Sequence, residues 1–215
     1  AAPPIWFIQR AVRAFLVEKG APGFSARDIQ GKLSLRASIT SELIFEGCRV
    51  PKENVLPDAI GLKTALKCLN RARYSIAWGA IGAATACFEE ALDYASQRVQ
   101  FGKPIGGHQL VQAKLVEMYN QINLAQLLAM RLGQLSEAGK LDPVCISVAK
   151  RNNVNMALDV ARSARSILGA NGIVDDYCAM RHMCNLETVI TYEGTHDIHT
   201  LIIGERLTGL SAFAD

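Results

Sequence analysis

The feature that most limits the fold is a change of period at residue 61. Ahead of it the pattern is that of strands. In Ser41 to Val50, Leu43 and Phe45 alternate with Glu42 and Glu46, as on a half-buried strand. Ile5 to Ile8 and Val12 to Val17 are further short strand candidates, and Lys19-Gly20-Ala21-Pro22-Gly23 is a turn. Pro51 ends the strand pattern, because proline has no N–H for a ladder. Pro57-Asp58-Ala59-Ile60-Gly61 reads as a linker. Beyond it, apolar residues recur at helical spacing. Leu62, Leu66, Leu69, Ile76 and Ile81 space one long helix to about Gln97. Val111, Leu115, Met118 and Ile122 space a second, to about Leu135, closed by Gly139. Asp142-Pro143 opens a third as N-cap and first helical residue, with Ile146, Ala149, Val154, Ala157, Val160, Ala164 and Leu168 along it. Gly169, Asn171 and Gly172 stop it. A shorter helix covers about 175–188, and the last runs from Thr195.

The implied fold is α+β: part of an antiparallel β domain over 1–57, then a C-terminal up-and-down helical bundle over 61–215. The first helix is dense in small residues, among them Ala77, Ala80, Ala83 and Ala84. Gly79 and Gly82 each cost about 1 kcal/mol in helix propensity, which close helix packing must offset.

Charge and cysteine usage narrow the classes. The net charge is only +3, with no dense Lys/Arg run, which argues against a nucleic-acid surface. No apolar run nears the roughly 20 residues needed to span a bilayer. The six cysteines (Cys48, Cys68, Cys87, Cys145, Cys178, Cys184) form no C-x-x-C pair. They read as reduced, buried small hydrophobes of an intracellular protein. His196 and His199 stand at i, i+3, with His182 and Cys184 nearby, but no H-E-x-x-H or C-x-x-C supports zinc. No metal is expected, and the histidines read as packing and hydrogen-bonding residues.

The stretch with most chemistry is Thr191-Tyr192-Glu193-Gly194-Thr195-His196-Asp197-Ile198-His199. A β-branched approach, Val189-Ile190-Thr191, leads into it, and Thr195 is a candidate N-cap for the helix that follows. Glu193 thus sits at a loop-to-helix joint beside a glycine that lets another group approach the backbone. Among Tyr192 and apolar neighbours its carboxylate is a candidate base, since desolvation raises a carboxylate's pKa. The same residues equally describe a first-turn acid favoured by the helix dipole.

Tyr192-Glu193-Gly194-Thr195 before a C-terminal apolar helix resembles the signature of the acyl-CoA dehydrogenases, and His196-Asp197-Ile198-His199 resembles the glutaryl-CoA dehydrogenase branch. Three further stretches are similar to that family. Lys32 to Thr40, running on to Val50-Pro51-Lys52-Glu53-Asn54-Val55-Leu56, resembles the end of its central β domain, with Ser34 as in the glutaryl branch. Gln97-Arg98-Val99-Gln100-Phe101-Gly102-Lys103-Pro104 resembles its flavin-binding turn. On its own, Arg98 would equally complement a helix C-terminus. Ser166-Ile167-Leu168-Gly169-Ala170-Asn171-Gly172 resembles the segment that reaches the FAD of a neighbouring subunit, with Ala170 where the family has glycine; alone it is an ordinary glycine C-cap.

The resemblance implies FAD as cofactor, contacted by Arg98, Phe101, Gln109, Ser166, Ile167, Leu168, Gly169, Ala170, Thr195, His196 and Asp197. It implies an acyl-CoA laid along Leu69-Asn70-Arg71-Ala72-Arg73-Tyr74, with Leu69, Asn70, Arg73, Tyr192 and Gly194 against the substrate; Arg71 departs from the usual uncharged residue or lysine. A solvated helix face is the plain reading of that turn. Glu193 is then the base that takes the α-proton of glutaryl-CoA, followed by loss of CO2 to give crotonyl-CoA. An electron-transferring flavoprotein would reoxidise the flavin, and the assembly would be a homotetramer. The compartment would be the mitochondrial matrix in eukaryotes or the cytoplasm in bacteria. The resemblance covers only the second half of a typical member, so the sequence reads as a fragment or truncated form. Two other readings stay open: a non-decarboxylating acyl-CoA dehydrogenase or oxidase, and a non-catalytic helical oligomerisation module.

Overall fold

The computed structural model describes residues 12–212; the strand candidate at Ile5 to Ile8 lies outside them. The chain divides into two compact units, Ala1–Arg71 and Ala72–Asp215.

The first unit holds two antiparallel strand pairs. Strand β1 (Arg13–Phe15) pairs with β4 (Val55–Ile60), and β2 (Phe24–Asp28) pairs with β3 (Ser41–Phe45). Phe24 faces Phe45 across the second pair, with the rings stacked at 5.1 Å. At Gly23 the backbone is left-handed (φ +81°) and a Cβ would collide with the Glu46 carbonyl, so only glycine fits this turn. The stretch 57–61 is not a linker: Pro57 to Ile60 belong to β4. Proline is tolerated there because, among the described residues, β4 has one paired neighbour and the β1–β4 register slips between Arg13 and Phe15.

The second unit is helical, in line with the expected α+β class. Helix α1 (Lys63–Gln97) crosses the boundary between the units. It is followed by α2 (Gln109–Glu137), α3 (Pro143–Ile167), α4 (Cys178–Thr191) and α5 (His196–Thr208). The core is built largely of alanines, with Ala84, Ala91, Ala125, Ala129, Ala157 and Ala161 at zero exposure. Side chains this small let helix axes approach closely. Asn153 is buried among them and donates to the carbonyls of Ala77 (3.2 Å) and Ala125 (3.3 Å), tying α3 to α1 and α2. Asp142 caps α3 by accepting from the Val144 N–H at 3.0 Å, and Pro143 opens it.

Three local expectations change. Val189-Ile190-Thr191 is the last turn of α4, not an extended approach. Val189 and Ile190 pack on the core, and Thr191 Oγ1 bonds back to the Glu187 carbonyl at 2.8 Å; tertiary burial overrides the β-branched preference. Residues 99–104, read as a loop, form a tight hairpin of β5 (Val99–Gln100) and β6 (Lys103–Pro104). Its central residues Phe101 (φ +53°) and Gly102 (φ +78°) are both left-handed, which suits strand twist. The cysteines are all free, but only Cys87 is buried and Cys68 is exposed. No helix among the described residues is long and apolar enough to cross a membrane.

Candidate active site

Glu193 lies between the end of α4 and the start of α5, and its own backbone is left-handed (φ +57°), an uncommon state for a residue with a Cβ. Three neighbours hold it there. Thr195 caps α5 as the sequence predicts, its Oγ1 accepting from the Ile198 N–H at 3.1 Å. Arg73, on α1, donates from Nε to the Glu193 carbonyl at 2.6 Å. Lys150, on α3, donates from Nζ to the carbonyls of Gly194 (2.9 Å), Tyr192 (3.0 Å) and Ile190 (3.4 Å). Gly194 (φ +96°) closes the turn so tightly that a Cβ would stand 3.1 Å from both Arg73 and His199. The outcome is a carboxylate with buried Oε2 and no hydrogen-bond partner for that atom. Buried polar atoms are almost always paired, so such an atom calls for a function.

The electrostatics are those of two cations gathered around one carboxylate. Arg73 is only 8% exposed; burial lowers its pKa, and Glu193 raises it. Lys150 is 1% exposed; burial and then the Arg73 charge lower its pKa to about 8, against the pull of Glu193. Tyr192 is raised by burial and by the Glu193 charge. His199, with no exposure, lies beside these groups, and neither ring nitrogen has a hydrogen-bond partner of good geometry. Burial, then Lys150 and Arg73, lower its pKa to about 4, with the Glu193 backbone pulling the other way. His199 therefore stays neutral in the folded protein at neutral pH.

This makes acid stability testable. Between pH 6.5 and 4 the unfolded chain binds a proton at His199 that the folded chain refuses, so stability present above pH 6.5 is lost as pH falls toward 4. A shift from 6.5 to about 4 corresponds to roughly 3 kcal/mol. Denaturant titrations from pH 7.5 to 4.5 should show this decline, and His199→Gln should reduce its slope, leaving the part due to His182 and His196, which burial also lowers. An unchanged slope in the variant would remove His199 as the cause.

The other residues picked out by sequence fall into place unevenly. Arg98, exposed at the end of α1, lines a concavity of about 240 Å³ together with Ile167, Leu168, Gly169 and Ala170. The two glycine-bearing motifs thus meet at one place. Phe101 projects at the hairpin tip, 93% exposed, its ring edge-on to His108. Gln109 is exposed at the start of α2. Ser166 is held by Lys114, which donates to its Oγ at 2.8 Å. Leu69 and Asn70 are half-buried, one turn ahead of Arg73 on α1. His196 is partly buried with an unpartnered Nδ1, and Asp197 is an exposed acid in the first turn of α5.

Lys150 is the functional candidate that sequence reading passed over, and His199 was read only as a packing residue. Both were detectable in principle. Lys150 falls on the stripe of Ile146, Val154 and Ala157, where a solvated lysine has no place.

Comparison with known proteins identifies relatives of the chain. Residues 60–208 match the model of the acyl-CoA dehydrogenase C-terminal domain. The short-chain specific acyl-CoA dehydrogenase of Megasphaera elsdenii is 34% identical over 197 residues, covering 91% of this chain and 51% of that protein. A glutaryl-CoA dehydrogenase of Mycobacterium smegmatis superposes with a TM-score of 0.92 at 51% identity, covering 94% of this chain and 52% of that one. A second glutaryl-CoA dehydrogenase structure from that organism, in complex with FADH2, gives a TM-score of 0.93 at 45% identity, over 95% of this chain and 53% of that one. The chain therefore spans about half the length of these relatives. With the whole helical bundle inside the matched region, the chain belongs to the acyl-CoA dehydrogenase family.

Proposed function

We propose that this chain supplies the proton-abstracting half of a flavin-dependent enzyme that oxidatively decarboxylates glutaryl-CoA to crotonyl-CoA and CO2, with Glu193 as the base. One observation carries the reading: a carboxylate oxygen kept buried and unpartnered while the backbone on both sides of it is held by Arg73 and Lys150. A base so placed is oriented before substrate arrives and competes with no internal donor.

The residues present suit FAD. The concavity joining Arg98 to Ile167–Ala170 offers a guanidinium, which can bind a pyrophosphate bidentately, beside the left-handed Gly169. Phe101 offers a bare aromatic surface. Gln109, Ser166, Thr195, His196 and Asp197 complete the residues proposed to hold the cofactor. When bound, FAD accepts the β-hydrogen of the acyl-CoA as hydride. The chain's own part is the proton. Glu193 takes it from the α-carbon, and the protonated carboxyl then returns it to the carbanion left by loss of CO2. Arg73, with Leu69, Asn70, Tyr192 and Gly194, is proposed to face the acyl-CoA.

The substrate rests on the 51% identity to a glutaryl-CoA dehydrogenase, and the short-chain relative keeps a non-decarboxylating acyl-CoA dehydrogenase as the second reading. An electron-transferring flavoprotein is the proposed electron acceptor. A homotetramer is the proposed assembly, since Val116, Tyr119, Leu124, Leu127 and Met130 leave much of α2 apolar and exposed.

The deciding assay gives the full-length enzyme glutaryl-CoA and follows CO2 and crotonyl-CoA. Equal release of both supports the proposal; an unsaturated product without CO2 selects the second reading. Arg98→Ala should weaken FAD retention about 10–100-fold, the worth of a charge-assisted phosphate contact. Flavin absorbance after desalting measures it, and an unchanged flavin content would remove Arg98 from the site. A chain that neither retains FAD nor complements a partner, yet still associates, would be a helical oligomerisation module.

A further inference from the structure

Away from Glu193, three side chains with ligand chemistry converge. Cys87 on α1 and Cys178 and His182 on α4 bring their ligand atoms within 4.8 Å of one another. Cys178 and His182 stand at i, i+4, which puts both on one face of α4. Cys87 meets them from α1 and is fully buried, and its thiol hydrogen-bonds that of Cys178. Glu90, one turn further along α1, accepts the Cys178 N–H with both carboxylate oxygens at 2.9 Å.

We infer that Cys87, Cys178 and His182 form a three-ligand site for a thiophilic divalent cation of the zinc type, with water in the fourth position. Two sulfurs and one imidazole, with water completing the tetrahedron, are a donor set that zinc accepts. At zinc's bond lengths of about 2.0–2.3 Å such ligand atoms lie roughly 3.4–3.8 Å apart.

The protonation chemistry is consistent. Burial raises both thiols, so without a cation they keep their protons. Burial and Arg181 lower His182, leaving its ring neutral and able to ligate. Glu90 and Arg181 are the charged groups facing the cluster, and they oppose each other. On binding, two S–H bonds break, two metal–sulfur bonds form and two protons pass to solvent, with no redox change. The ion would pin the start of α4 to the middle of α1. Nothing in this depends on the flavin or on Glu193.

The test is titration of the purified, reduced chain with Co²⁺, a spectroscopic stand-in for zinc. The expected result is one ion per chain, a thiolate-to-cobalt charge-transfer band, visible bands of tetrahedral geometry, displacement by Zn²⁺ and release of two protons. Cys178→Ser and His182→Ala should each weaken binding by more than about 100-fold, beyond the loss typical of an outer-shell change. Cys184→Ser, on the same helix but outside the cluster, should leave it intact. Absence of the charge-transfer band, or a band that survives both Cys178→Ser and His182→Ala, overturns the site. Because these two side chains are only half-buried, the variants should fold, and a thermal melt of each metal-free chain checks it.

Discussion

Glu193→Gln in the full-length enzyme should slow acyl-CoA oxidation by about 10²–10⁴, the contribution expected of a positioned general base. FAD content should stay unchanged. The substitution removes the base without breaking a hydrogen bond at its buried oxygen, although the charge that favours the Arg73 and Lys150 cations goes with it. Arg73 and Lys150 hold backbone carbonyls at 193 and 194, and these survive the exchange. Glutamine keeps the shape that fills the buried space around Oε2 but cannot accept the α-proton. The rate should fall without a matching rise in KM, because the group acts on the proton in transit and not on the bound thioester. A chemical step measured by rapid mixing, within tenfold of the parent, would defeat the assignment. The CO2 assay separates this failure from an error of substrate. A wrong substrate leaves the parent inactive on glutaryl-CoA, whereas a wrong base leaves the variant active.

The long helices were legible because their signals are local. Apolar residues at helical spacing fixed α1 to α3, Asp142-Pro143 marked where α3 begins, and Thr195 marked the cap of α5. Failures came where distant partners decide. Val55–Ile60 is a strand because β1, far earlier in the chain, pairs with it; Pro57 and Gly61 alone suggest a break. Val189-Ile190-Thr191 is helical because its side chains have a core to enter. The metal cluster was invisible for the same reason. Cys178-x-x-x-His182 supplies only two ligands, and Cys87 arrives from another helix. Arg73 and Lys150 show the limit most sharply. Cations normally mark a solvated face, yet both are buried here, because loop carbonyls from the far end of the chain converge on them. Lys150 at least left a trace, as a charge on an apolar stripe.

Lys150→Met should destabilise the chain by about 3 kcal/mol or more, and it should do so through the loop that carries Glu193. Methionine fills the volume but has no donor, so the carbonyls of Ile190, Tyr192 and Gly194 lose their shared partner. A buried carbonyl left unpaired costs about 1–3 kcal/mol, and relief of the buried ammonium's desolvation offsets part of the sum. For a chain of this size, 3 kcal/mol lowers Tm by about 6–12 °C. Alkaline pH supplies a check that a merely structural methionine effect would not reproduce. The Lys150 pKa is lowered from 10.5 to about 8 in the folded state. Between those values the unfolded chain binds the proton more tightly, so Lys150 contributes a rise in stability from pH 8 to 10.5, opposed above pH 9 by the raised thiols of Cys87 and Cys178. The variant has no such group but keeps the thiols, so the stability of the parent relative to the variant should rise with pH over that window. An exposed control, Lys140→Met, should change neither the midpoint nor the slope. A parental midpoint and an unaltered alkaline rise in Lys150→Met would mean that the Glu193 turn is held by Arg73 and the Thr195 cap alone. Loss of both midpoint and slope would make the buried ammonium the element that fixes where the base stands.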